Sequence, residues 1–139
     1  MEQVHATTVD VDGDGVMLMG PSASGKSDLG LRLIDSGARL VADDRTDLSL
    51  SNGLVRASAP TEIAGRMEVR GIGIVTVPVM SDSPVALVVE LVTPGAVERL
   101  PEPQTMEVLG VELPLVRLAP FEASAPAKVR AALKNRNPL

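Results

Sequence analysis

Residues 20 to 27, Gly-Pro-Ser-Ala-Ser-Gly-Lys-Ser, fit G-x-x-x-x-G-K-[ST], and no other stretch restricts the fold of this chain as much. The motif works only where a buried strand leads into it and a helix opens out of it. Both flanks meet that condition. Val16-Met-Leu-Met19 is a short apolar run, and beyond the loop Leu29 with Leu33 and Gly30 with Ile34 repeat at helical spacing. Glycines in such a loop let successive N–H groups turn inward toward phosphate oxygens, and the new helix adds its positive end at the same point. Gly20, Pro21, Ser22, Ala23, Ser24, Gly25, Lys26 and Ser27 therefore form the candidate phosphate cradle. Lys26 is placed to reach the β/γ-phosphates, and the Ser27 hydroxyl to hold Mg²⁺.

The remaining chain reads as strands and turns around that unit. Gln3 to Val11 alternates loosely and is β-branched, which predicts one strand; Asp12-Gly-Asp-Gly15 turns it into the strand before the loop. His5, the one histidine, lies on the first of these strands, where a structural hydrogen bond is its commoner role. The loop's helix should stop at Ser36-Gly37, and Ala38 to Asp43 should return as a strand, which gives strand–loop–helix–strand, a right-handed crossover if the strands before and after the helix are parallel. Asp43 and Asp44 then fall at the C-terminal edge of the sheet, where α/β proteins bind ligands. Asn52-Gly53 marks a hairpin and Pro60 to Gly65 a helical turn.

In Glu68-Val-Arg-Gly-Ile-Gly-Ile74 the two glycines interrupt an apolar run and suggest backbone passing close to a ligand or another chain. Val75 to Val79 and Val85 to Val92 read as strands, the second central. Arg99 sits in a proline-punctuated loop, and Thr105 to Leu118 is a β pair about Gly110 with Pro114 marking an edge. Ser124 and Pro126 open a helix to about Asn135, whose Val129, Ala132 and Leu133 face either the sheet or a neighbouring subunit.

Composition narrows the class. At 139 residues and 45% hydrophobic, the chain has material for one globular domain, 1–139. The net charge of −5 argues against a nucleic-acid partner. The absence of cysteine excludes disulfides and thiolate metal sites. Neither a leader nor a long apolar span is evident, which predicts a cytoplasmic protein with no membrane partner. With one Phe and no Trp or Tyr, no aromatic stands out to stack a base. That pattern suits a site that grips phosphates and ignores adenine.

Taken together, Val4-His5, the loop at 20–27, Arg39-Leu-Val-Ala-Asp-Asp-Arg45 and Glu68 to Ile74 resemble the bacterial HPr kinase/phosphorylases over roughly residues 3 to 100. The resemblance implies an α/β P-loop kinase core, with a mixed, strand-rich sheet around one P-loop helix and a C-terminal helix. It implies transfer of phosphate from ATP or pyrophosphate, with Mg²⁺, to a serine of the phosphocarrier HPr, and the reverse phosphorolysis. On this chain it places Asp43 as the catalytic acid/base, His5, Lys26, Arg70 and Arg99 beside it, and Ser27, Asp44 and Glu68 on Mg²⁺. Family members are hexamers, so a homo-oligomer is expected. A serine hydroxyl is a poor nucleophile, and a carboxylate that takes its proton as the O–P bond forms agrees with this assignment.

The chain also departs from the family pattern. Ala23 replaces the usual loop glycine, the Gly/Ala-rich insertion between Ile74 and Pro84 is missing, and so is the C-terminal signature near which members contact HPr. A short form with the catalytic domain alone is the expectation. The alternative is a regulatory nucleotide- or phosphate-binding module with little transfer. A small-molecule P-loop kinase fits less well, because no arginine-rich insertion is available as a lid.

Overall fold

The computed structural model describes residues 1–136. Eleven strands and two helices follow in the order β1 (Glu2–Val4), β2 (Ala6–Val11), β3 (Asp14–Met19), α1 (Lys26–Asp35), β4 (Arg39–Ala42), β5 (Thr46–Ser51), β6 (Leu54–Ser58), β7 (Arg66–Val69), β8 (Gly73–Thr76), β9 (Asp82–Leu91), β10 (Gln104–Val108), β11 (Val111–Leu118) and α2 (Ala125–Lys134). Nine strands form one mixed sheet and β7–β8 a separate ribbon, giving the α/β, strand-rich architecture expected.

Local signals set most of the turns. Asp12-Gly13 and Asn52-Gly53 both take positive φ and close two-residue hairpins between β2 and β3 and between β5 and β6. Helix α1 ends where Gly37 enters the left-handed region at φ 115°. There the Gly37 N–H reaches the Ile34 carbonyl and the Ala38 N–H reaches that of Leu33, which satisfies two otherwise orphaned acceptors.

The sheet runs β1-β5-β6-β9-β3-β2-β4, and β9 also pairs with β11. Strand β9 is central, as its apolar run predicts. It lies parallel to β3 on one edge, and its other edge is shared by β6 at Asp82–Pro84 and β11 at Val88–Leu91. Strand β4 runs parallel to β3, but β2 lies between them, antiparallel to both.

Three expectations change. The first strand breaks at His5: β1 pairs with β5, whereas β2 inserts between β3 and β4 and is buried throughout. The second half of β11 is interior, paired to β9; Pro114 falls where β10 is its partner, so β9 never requires the missing N–H. Beyond Thr76 the predicted strand reduces to one bridge from Val79 to Leu40.

Two apolar layers cover the sheet. One joins Leu29, Leu33 and Ile34 of α1 and Ala125, Val129 and Leu133 of α2 to Val9, Leu18 and Val89. The other lies between Met17, Val41 and Val88 and the curled-over Leu48, Val55 and Leu113. The apolar face of α2 is thus spent on this chain's own core, and the choice between sheet and neighbouring subunit resolves to the sheet. Gly30 allows α1 to approach closely: a Cβ there would lie 3.0 Å from Thr7 Cγ2. No helix among the described residues is long and apolar enough to cross a membrane.

Candidate active site

Register brings the candidate residues to one edge of the sheet. The C-terminal ends of β3, β9 and β11 coincide there, with Met19 opposite Glu90 and Leu91 opposite Leu118. The chain leaves β3 at Gly20 and turns through the loop into α1. Gly25 has φ 97°, and its missing Cβ would lie 2.9 Å from Phe121 Cζ and 3.0 Å from Pro120 Cβ. At Gly20 the constraint is space alone, since a Cβ would lie 2.6 Å from Ser24 Oγ. Ala23 adopts φ 62°, a conformation that glycine takes without strain.

Lys26 is buried, and its ammonium donates to the carbonyls of Gly20 (2.8 Å) and Pro21 (2.9 Å). One of its three donors remains for an anion. Ser27 Oγ donates to Asp43 Oδ1 at 2.7 Å. The same oxygen accepts from Thr7 Oγ1 at 2.9 Å, and Thr7 Oγ1 in turn accepts the Asp44 N–H at 3.2 Å. Asp43 is only 8% exposed, so this carboxylate is held by two hydroxyls in a nearly dry place.

Asp44 follows at φ 68° and is exposed; the turn closes by a bond from Arg45 N–H to the Asp43 carbonyl and is anchored by Thr46, which donates to the Ala6 carbonyl. His5 stands exposed at the break between β1 and β2. Pairing of Ala6 with Met19 and of Val4 with Thr46 sets it near both the loop and the Asp43-Asp44 turn.

The other sequence candidates make no hydrogen bond to this group. Glu68 and Arg70 are exposed on the β7–β8 ribbon, which packs on the core through Met67, Val69 and Val75. Glu68 faces away from that packing, paired in register with exposed Ile74. Gly71 and Gly73 have positive φ and nothing within 4 Å of a Cβ, so they serve the turn and not a close approach within this chain. Arg99 is exposed on the loop after β9. Among the described residues no three His, Cys, Asp or Glu side chains cluster as a metal site. Ser27, Asp43 and Asp44 nonetheless offer only hard oxygen donors, the set that suits Mg²⁺ bound by one or two carboxylates and completed by phosphate and water.

Sequence reading missed Thr7 and Phe121. Thr7 and Thr8 look like ordinary β-branched strand residues, and only burial on both faces of β2 marks their hydroxyls as needing partners. A cleft of about 760 Å³ borders the loop, lined by Pro21 to Ser24, Leu91 to Pro94 and Ala119 to Glu122 among others. A smaller cavity of about 310 Å³ between β11, α2 and the loop before β10 shares only Ala96 with it and contains no phosphate-loop residue. The larger cleft therefore adjoins the loop at Pro21 to Ser24, while Lys26, Ser27 and Asp43 lie outside its lining.

Known proteins resemble this chain in sequence and in fold. A family model described as HPr Serine kinase C-terminal domain matches residues 1–132. An HPr kinase/phosphorylase of Ralstonia nicotianae is 36% identical over 126 residues, covering 83% of this chain and 39% of that protein. One from Prosthecochloris aestuarii is 38% identical over 129 residues, covering 84% and 38%. The solved HPr(Ser) kinase/phosphatase of Coxiella burnetii superposes with a TM-score of 0.84 at 30% identity, covering 97% of this chain and 90% of that one. The chain spans about two fifths of the length of these two curated relatives.

Proposed function

Because this chain belongs to the HPr Serine kinase C-terminal domain family, we propose that it transfers a phosphoryl group from ATP or pyrophosphate to a serine of an HPr-like phosphocarrier, in the cytoplasm, and catalyses the reverse phosphorolysis. The observation that carries this reading is the Asp43 carboxylate, buried and fixed 2.7 Å from the hydroxyl of the phosphate loop's own Ser27. A module that merely holds phosphate has no need of a proton acceptor beside the transferred group.

In the forward direction the loop N–H groups and Lys26 hold the donor's phosphates. Asp43 takes the proton of the substrate serine as its oxygen bonds to phosphorus, and the donor leaves as ADP or phosphate. Run backward, the protonated carboxyl returns that proton to the serine oxygen. Mg²⁺, held by Ser27 and Asp44 with Glu68 as the third protein ligand, would neutralise charge on the phosphate oxygens. His5, Arg70 and Arg99 are the groups proposed to meet the transferring phosphate and the incoming serine. The hexameric state of the family is likewise carried over by resemblance, now without support from α2.

A second assignment draws on the same bond. P-loop proteins commonly place an acidic residue behind the loop serine to hold the metal, and Asp43 bonded to Ser27 occupies such a position. In that reading Asp44 becomes the proton acceptor. Incubation with ATP, Mg²⁺ and an HPr-like protein, followed by phosphoserine analysis, tests the function and separates the assignments. Asp43→Asn should cut transfer by about 10²–10⁴-fold with donor binding retained in calorimetry. Loss of Mg²⁺-dependent donor binding in Asp43→Asn, with loss of transfer alone in Asp44→Asn, would exchange their roles. Tight donor binding with no phosphoserine from the wild type would leave the regulatory module.

A further inference from the structure

The cleft beside the phosphate loop has a feature that phosphate binding does not use. Phe121 is the one aromatic side chain of the protein, yet it is 70% exposed. It is presented from a fixed strap. The Arg32 guanidinium donates to the carbonyls of Pro120 and of Glu122 (3.1 Å), and the Glu122 carboxylate is paired with Lys128 at 2.8 Å. The strap follows β11, and the cleft lies outside the carboxyl ends of the parallel strands β3, β9 and β11, where open α/β sheets take their ligands. Its walls are largely apolar: Leu91 and Pro94 on one side, Pro120 and Phe121 on another, with Pro21 to Ser24 shared with the phosphate cradle. At about 760 Å³ it falls in the range of small-ligand sites.

We propose that this cleft is a nucleobase subsite, with Phe121 as the platform on which the base of a nucleotide stacks while the loop holds its phosphates. The occupant follows from continuity: Pro21 to Ser24 belong to both the loop and the cleft and Phe121 lies against Gly25, so a ligand anchored by its phosphates on the loop can extend onto the ring. Every base has a π face, so a lone ring without flanking amide readers favours nucleotides over bare pyrophosphate and discriminates little among bases. Composition alone pointed the other way, because one Phe in 139 residues does not disclose that it lies against Gly25.

The proposal rests on the phosphate-loop reading, and titration calorimetry with Mg²⁺ separates the two. Wild-type protein should bind ATP more tightly than pyrophosphate. Phe121→Ala should weaken ATP by about tenfold and leave pyrophosphate unchanged, and Phe121→Tyr should retain the wild-type ATP affinity. Unchanged ATP affinity in Phe121→Ala overturns the subsite. So does an equal loss for both ligands, which would make the ring merely a brace for Gly25. Lys26→Ala reports on the premise: if it leaves pyrophosphate affinity intact, or if the wild type binds neither ligand, the phosphate-loop reading falls and the subsite with it.

Discussion

Thr7, Lys26, Ser27 and Asp43 are tied to one another or to loop carbonyls, and three of the four side chains are buried. Glu68 and Arg70, carried to the site by family resemblance, stand exposed on a two-stranded ribbon whose outer side also shows Ile72 (75% exposed) and Ile74 (71%). The first region is as rigid as the core it belongs to, because moving Asp43 means breaking bonds in a nearly dry place. In the second, the side chains keep their rotamer freedom in the isolated chain, and ordering them costs up to about 2 kcal/mol each when ligand or partner arrives. The contrast teaches that the two halves of the proposed site should fail differently. Damage near Asp43 should register in stability and chemistry together, whereas damage on the ribbon should register in chemistry alone.

Substitution tests that contrast, most severely at Thr7. Thr7→Val removes the donor to Asp43 and the acceptor for the Asp44 N–H, and should destabilise the fold by about 2 kcal/mol. Denaturant unfolding measures this, phosphoserine formation should fall in parallel, and Thr7→Ser should restore both. Gly30→Ala comes next. The added Cβ meets Thr7 Cγ2 at 3.0 Å, and Thr7, fully buried and bonded on both sides, has little room to yield. The roughly 1 kcal/mol gained in helix propensity should be outweighed, leaving a net loss of about 1 kcal/mol.

Ala23→Gly should act in the opposite direction. It relieves the left-handed strain at φ 62° and should be neutral or stabilising by up to about 1 kcal/mol, read as a small rise in Tm. The smallest stability effect belongs to Glu68→Gln and Arg70→Ala, within about 0.5 kcal/mol of wild type while transfer drops. Destabilisation of 2 kcal/mol or more at Glu68, or an unaltered Tm in Thr7→Val, would erase the distinction between the regions.

Much of the site was legible before any coordinates. The phosphate loop, the acidic pair and the turn glycines each carry a signature within a few residues, and Asp43 does reach Ser27 across 16 positions because one strand–loop–helix–strand unit spans them. The structure corrected what depended on pairing. His5 looked like a mid-strand residue because alternation runs through it, but tertiary pairing divides the run between β5 on one side and β3 with β4 on the other. Gly71 and Gly73 have no close neighbour within this chain, and their positive φ is reason enough for glycine. Ala132 and its neighbours left the partner of α2 open, since an apolar helix face does not say what covers it.

By itself, then, the sequence determined the local units: which residues curl into the glycine loop, where α1 starts and stops, which dipeptides reverse the chain. Backbone preference and capping chemistry act between near neighbours, and near neighbours are what a sequence displays. The tertiary structure alone decided that β2 lies between β3 and β4, that Thr7 bonds Asp43 across 36 positions, and that Phe121 closes over Gly25 from the far end of the chain. Those contacts arise from sheet order and from the burial of two apolar faces at once. Their energy depends on everything packed around them, and no short stretch of sequence encodes it.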